Sequence, residues 1–61
     1  GDPEAGAKIF DLYFDVPDLR TQKGINEINE SLLYLKKNFG YKGSERFKKE
    51  LYRISKEKYN Y

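Results

Sequence analysis

Residues 21–40 read TQKGINEINESLLYLKKNFG, and the spacing of apolar positions in that stretch decides the fold. Ile25, Ile28, Leu32, Leu35 and Phe39 recur at intervals of three, four, three and four, which places them in one stripe of a helix. Gly40 follows where helices commonly stop in a left-handed cap. Lys36 and Lys37 occupy the last turn, where the helix dipole favours cations. The spacing predicts a helix over 21–39 with a soft start, because Gly24, Asn26 and Asn29 are weak helix formers.

Downstream, Gly40-Tyr41-Lys42-Gly43 reads as a turn. Ser44 suits an N-cap and Glu45 a first turn, so a helix over about 44–58 is expected, with Phe47, Leu51 and Ile54 as its buried stripe. A connection this short packs its two helices as an antiparallel or angled pair.

Upstream, two readings stand. Asp2-Pro3-Glu4 has the form of an N-cap, an N1 proline and an acidic first turn, opening a helix over about 3–15. Ile9, Phe10, Tyr13 and Phe14 then share one face. The same residues also alternate: Phe10, Leu12, Phe14 and Val16 against Ile9, Asp11, Tyr13 and Asp15, the period of a strand. Val16-Pro17 ends either element. The helical reading gives an all-α three-helix bundle and is the expectation. The strand reading leaves backbone donors without a partner in this chain and requires a dimer with a two-stranded ribbon.

That second order of elements, strand then helix then helix, resembles the ribbon-helix-helix DNA-binding fold in element order alone. The resemblance implies a dimer whose outward strand residues enter the major groove. Here those would be Ile9, Asp11, Tyr13 and Asp15, and two aspartates facing phosphate-lined DNA is the wrong chemistry. The first helix is also longer than that family's.

Sixty-one residues make one small domain or a piece of one, with room for about a dozen core side chains and no deep pocket. Hydrophobic residues are 38% and charged residues 36%, too apolar for disorder and too charged for a membrane span. There is no cysteine and no histidine, so disulfides are excluded and a zinc site is not expected. Lack of cysteine fits a reducing compartment, and an intracellular location, cytoplasmic or nuclear, is expected. The chain begins at Gly1 and contains no methionine, which fits an excised domain, a processed product or a vector remnant over residues 1–6.

Catalysis is argued down by the same inventory. Ser31, Ser44 and Ser55 lack a base of the usual kind, and no carboxylate pair sits in an apolar pattern that would shift its pKa. Gly40-Tyr41-Lys42-Gly43-Ser44 lacks the glycine spacing of a phosphate loop and follows a helix rather than a strand. The expectation is a non-enzymatic binding domain with no cofactor, metal or small-molecule substrate.

Charge is unevenly placed. Residues 1–20 hold five acidic against two basic side chains, and residues 21–61 hold ten basic against five acidic. At 100° per residue, Arg46, Lys49, Arg53 and Lys56 fall on one arc opposite Phe47, Leu51 and Ile54. Tyr52 and Tyr59 flank one edge of that arc, Glu50 and Glu57 the other, and Lys42 extends the basic end. A basic stripe beside tyrosines suits phosphate contacts with stacking, so DNA binding, or an accessory role on nucleic acid, is the first expectation. A charged outer face also serves solubility alone. A helix-turn-helix motif fits poorly, because its fixed apolar position falls on Arg46 and the apolar residue is Phe47, one place on.

The competing expectation is a protein-interaction module, a regulator or subunit of a larger assembly. Its contact would use the acidic-aromatic segment through Phe10, Tyr13 and Phe14. Homodimerisation through the Ile25–Phe39 stripe is a third, so monomer and homodimer both stand.

Overall fold

A computed structural model describes residues 2–61, and the side chains of all of these except Tyr34, Leu35, Asn38, Phe39 and Tyr41. The first helix, α1, runs Pro3–Phe14. Asp2 caps it by accepting the Glu4 N–H at 3.1 Å, and Pro3 opens it where no N–H is needed. It stops at Asp15 (φ 62°, ψ 97°), and the Asp11 carboxylate accepts the Val16 N–H at 3.0 Å beyond the end. The alternating pattern over Ile9–Val16 therefore belongs to a helix, and no strand occurs among the described residues.

The second helical stretch, Gln22–Tyr59, is interrupted once, at Gly40 (φ 72°, ψ −178°). Thirty-eight residues of straight helix would extend about 57 Å, yet the longest dimension of the molecule is 29 Å. The stretch is thus two helices folded back on each other, α2 (22–39) and α3 (41–59), and with α1 they form the expected three-helix bundle. Thr21 caps α2 by accepting the Gly24 N–H at 3.0 Å while its own hydroxyl donates to the Asp18 carbonyl. Asn60, in the left-handed region, ends α3 one residue beyond the expected boundary.

The α2–α3 joint differs from expectation. A four-residue turn with Ser44 as N-cap was the reading of 40–44, but α3 begins at residue 41 and Ser44 lies buried inside it. One glycine in a backbone region essentially closed to other residues makes the reversal, so no further turn residues are needed.

The core unites Ala7 of α1, Val16 and Leu19 of the α1–α2 connection, Ile28 and Leu32 of α2, and Phe47, Leu51 and Ile54 of α3. Both helical stripes read from the sequence are buried where their side chains are described, with Ile25 at the edge. The α1 face is different from the expected one. Pro3 and Ala7 are buried and Phe10 packs half-buried, its ring 5.9 Å from Phe47 and nearly perpendicular to it. Ile9, Tyr13 and Phe14 are exposed instead. The core space beside α1 is filled from the connection by Val16 and Leu19, so only one apolar row of α1 fits inside.

Candidate functional site

The residues singled out from the sequence lie on two surfaces, the outer face of α3 and the outer side of α1. On α3, Lys42, Lys49 and Lys56 stand seven residues apart, in a nearly straight row about 21 Å long. All three are exposed, and among the described residues none makes an ion pair. Arg46 and Arg53 interleave with them on the same face but are engaged. Arg46 grips Glu4 of α1 through two hydrogen bonds, at 3.0 and 2.8 Å. Arg53 bridges Glu50 and Glu57, the latter at 2.6 Å. The hydrogen bonds between Arg53 and Glu50 lower the Glu50 pKa and raise that of the guanidinium. Tyr52 is half-buried against the core and Tyr59 is exposed at the end of α3. The basic arc is thus brought together as a face, with its lysines available and its two arginines partnered by carboxylates.

On α1 every charge lies in one row: Glu4, Lys8 and Asp11, spaced four and three. That row faces α3, where Glu4 meets Arg46, and Asp11 meets Lys58 at 2.9 Å. Hydrogen bonding to Lys58, then to the Val16 N–H, holds the Asp11 carboxyl below its ordinary pKa. Partial burial works against the charge on Lys58, but its hydrogen bonds to Asp15 and Asp11 outweigh that and raise its pKa. A second row, Pro3, Ala7 and Phe10, leads inward, and Phe14 continues it beyond the edge of the core into solvent. A third, Ala5, Ile9 and Leu12, turns outward with Tyr13 beside it, and it is apolar too. Ile9 is 55%, Leu12 82%, Tyr13 79% and Phe14 73% exposed. Of the residues expected on a partner surface, Tyr13 and Phe14 are on it and Phe10 is at the core's edge. Ile9 and Leu12 join them, a pairing hidden by grouping Ile9 with Phe10 and Phe14 on one face and leaving Leu12 off it.

Between the end of α1 and the first half of α2 lies an open groove of about 320 Å³, floored by Phe10, Pro17 and Ile28. Phe14 forms one wall, with its ring 5.2 Å from that of Phe10, and Asp15, Glu27 and Glu30 stand on the rim. Among the described residues no group of His, Cys, Asp and Glu could hold a metal ion, and no helix is long and apolar enough to cross a membrane. No known protein family matches this chain, and no curated protein or solved structure does.

Proposed function

We propose that the chain is a protein-interaction module, a regulator or subunit of a larger assembly, that docks through the outer side of α1. The observation that carries this is the helix with two apolar sides. Surface helices of small domains carry one apolar stripe, and a helix apolar on opposite sides is ordinarily covered on both. Here the inner side is covered by the bundle, while Ile9, Leu12 and Tyr13 face outward. Exposed apolar side chains gathered on one side of a helix, rather than scattered singly, mark contact surfaces. Ile9→Glu with Leu12→Glu tests the reading. Both side chains are exposed, so stability should stay within about 1 kcal/mol, whereas recovery of the partner from the native source should be lost. Unchanged recovery by the folded variant would remove the reading.

A second reading, nucleic-acid binding, is favoured by the lysine row. Lys42, Lys49 and Lys56 would contact phosphates, and Tyr59 would stack or hydrogen-bond beside them. Arg46 and Arg53 could join by exchanging their carboxylates for phosphate, since exposed ion pairs contribute only about 0–1 kcal/mol. The half-buried Tyr52 would support the face from its edge. Nothing in this arrangement reads base edges, so binding would be of the backbone kind. Three lysine contacts predict a log–log salt slope of about −3 on duplex DNA. Lys49→Glu with Lys56→Glu should abolish low-salt binding to duplex and single-stranded oligonucleotides, and indifference to that change would end this reading.

A further inference from the structure

We propose that the groove between the end of α1 and the first half of α2 docks a cationic, apolar-anchored helical segment of another protein; this rests on the reading of the chain as an interaction module and adds a second contact face, beside the outer side of α1, with a stated partner chemistry. The floor is apolar. Phe10, Pro17 and Ile28 line it, and Phe14 stands over it as a wall, 73% exposed although its ring touches Phe10. A phenylalanine so placed completes neither the core nor a polar surface. It has the geometry of one side of a slot.

The rim supplies the charge. Asp15, Glu27 and Glu30 border the slot. Asp15 is answered by Lys58 from α3. Glu27 and Glu30, like Asp2 and Glu45 elsewhere on the surface, make no ion pair among the described residues, whereas Glu4, Asp11, Asp18, Glu50 and Glu57 each make one; Glu27 and Glu30 are the two that border an apolar slot. Shortage of cations is not the reason, because the chain has twelve basic against ten acidic residues. Glu27 and Glu30 stand three apart on one helix, a spacing at which like charges repel by a few tenths of a kcal/mol. An apolar slot with an unanswered acidic rim complements an amphipathic helix that inserts one apolar side chain and brings lysine or arginine to either side of it. The volume, about 320 Å³, suits one such anchor. The same rim repels nucleic acid.

Two synthetic helical peptides of identical apolar pattern, one built from leucine and lysine and the other from leucine and glutamate, provide the probes. They are titrated into the isotopically labelled chain and followed by two-dimensional NMR. The lysine peptide should move the signals of Phe10, Phe14, Glu27 and Ile28, and the glutamate peptide should not. General attraction does not produce that preference, since the chain itself is net +2. Glu27→Lys with Glu30→Lys should weaken the lysine peptide about tenfold or more without lowering the unfolding temperature. Equal response to both peptides, no response to either, or indifference to the double variant would overturn the proposal. Shifts confined to Ile9, Leu12 and Tyr13 would overturn it while leaving the interaction-module reading in place. Shifts of the groove signals on concentrating the chain alone would show that a second copy fills the slot, and would also overturn it. If Ile9→Glu with Leu12→Glu also left the native partner bound, the broader reading would fall with it.

Discussion

At the scale of single residues, three glycines with the same side chain have three different effects. Gly40 sits at φ 72°, ψ −178°, so any side chain there strains the backbone by about 1–3 kcal/mol even though open space surrounds it. Gly24 has ordinary helical placement, but a Cβ on it would stand 2.3 Å from the Asp18 carbonyl oxygen. Its weak helix propensity is the cost of letting the α1–α2 connection pass close over α2. A Cβ on Gly6 would meet the Phe47 ring at 3.6 Å, an ordinary contact. Gly40→Ala and Gly24→Ala should therefore each lower the denaturation midpoint, and Gly6→Ala should raise stability by about 0.5–1 kcal/mol. Chemical denaturation of the three variants checks the order. Ser55 is the other residue whose identity matters locally. Buried in α3, its hydroxyl accepts the Leu19 N–H at 3.1 Å and bonds the Tyr61 hydroxyl at 2.9 Å. Ser55→Ala leaves the Leu19 donor buried and unmatched and should cost about 1–3 kcal/mol. In the sequence nothing marks Ser55 as structural, because a bond across 36 positions has no local signature.

At the scale of elements, the fold was legible where one apolar stripe serves one core. Ile28 and Leu32 on α2, and Phe47, Leu51 and Ile54 on α3, are spaced by the helical period and are buried. Legibility failed at α1 for a physical reason. A helix with apolar rows on opposite sides places large side chains at nearly every position, and over Ile9–Val16 that imitates the alternation of a strand. The asymmetry that resolves it is in the charges, since Glu4, Lys8 and Asp11 share a single row at helical spacing. Leu19 was missed as core because a connection has no periodicity, and Val16 was read only as the end of the Ile9–Val16 segment, though both are apolar and buried. The candidate basic face was legible as an arc, but its state was not. Which arginines are partnered depends on Glu4 of a distant element and on the side-chain reach of Glu50 and Glu57. The two sides of α1 should separate under mutation. Phe10→Ala removes an edge-to-face contact with Phe47 and part of the core wall, and should cost about 2–4 kcal/mol. Leu12→Ala, on the outer side, should leave the unfolding temperature nearly unchanged.

At the scale of the whole molecule, α1 is tied to the α2–α3 hairpin by a modest apolar row and by charge. The negative first third of the chain lies against the positive last third, through Glu4 to Arg46 and through Asp11 and Asp15 to Lys58. Part of the charge asymmetry of the sequence is thus satisfied inside the molecule, and among the charges that make no ion pair are Lys42, Lys49 and Lys56 on the outer face of α3 and Glu27 and Glu30 at the rim of the groove. This arrangement carries a pH signature. Asp11, Asp18 and Glu50 have pKa values below their ordinary ones, held there first by side-chain hydrogen bonds to Lys58, Arg20 and Arg53 respectively. A carboxylate whose folded pKa is lowered binds fewer protons in the folded state than in the unfolded chain, so acid favours unfolding. Its contribution is complete above the unfolded value, about 4, and is lost as pH falls through the folded one. The unfolding temperature should accordingly be flat from neutrality to about pH 5 and fall below about pH 4. Asp11→Asn, which keeps the shape but removes the charge that Lys58 and the Val16 N–H stabilise, should lower the plateau and flatten the acid limb. Because Asp11 alone among those three carboxylates joins α1 to α3, its loss should also bring α1 amides into hydrogen exchange ahead of those of α2 and α3. An acid limb unchanged in slope in Asp11→Asn would place the pH dependence in the local pairs of Asp18 and Glu50 instead, leaving apolar packing and the Glu4–Arg46 and Asp15–Lys58 pairs to hold α1.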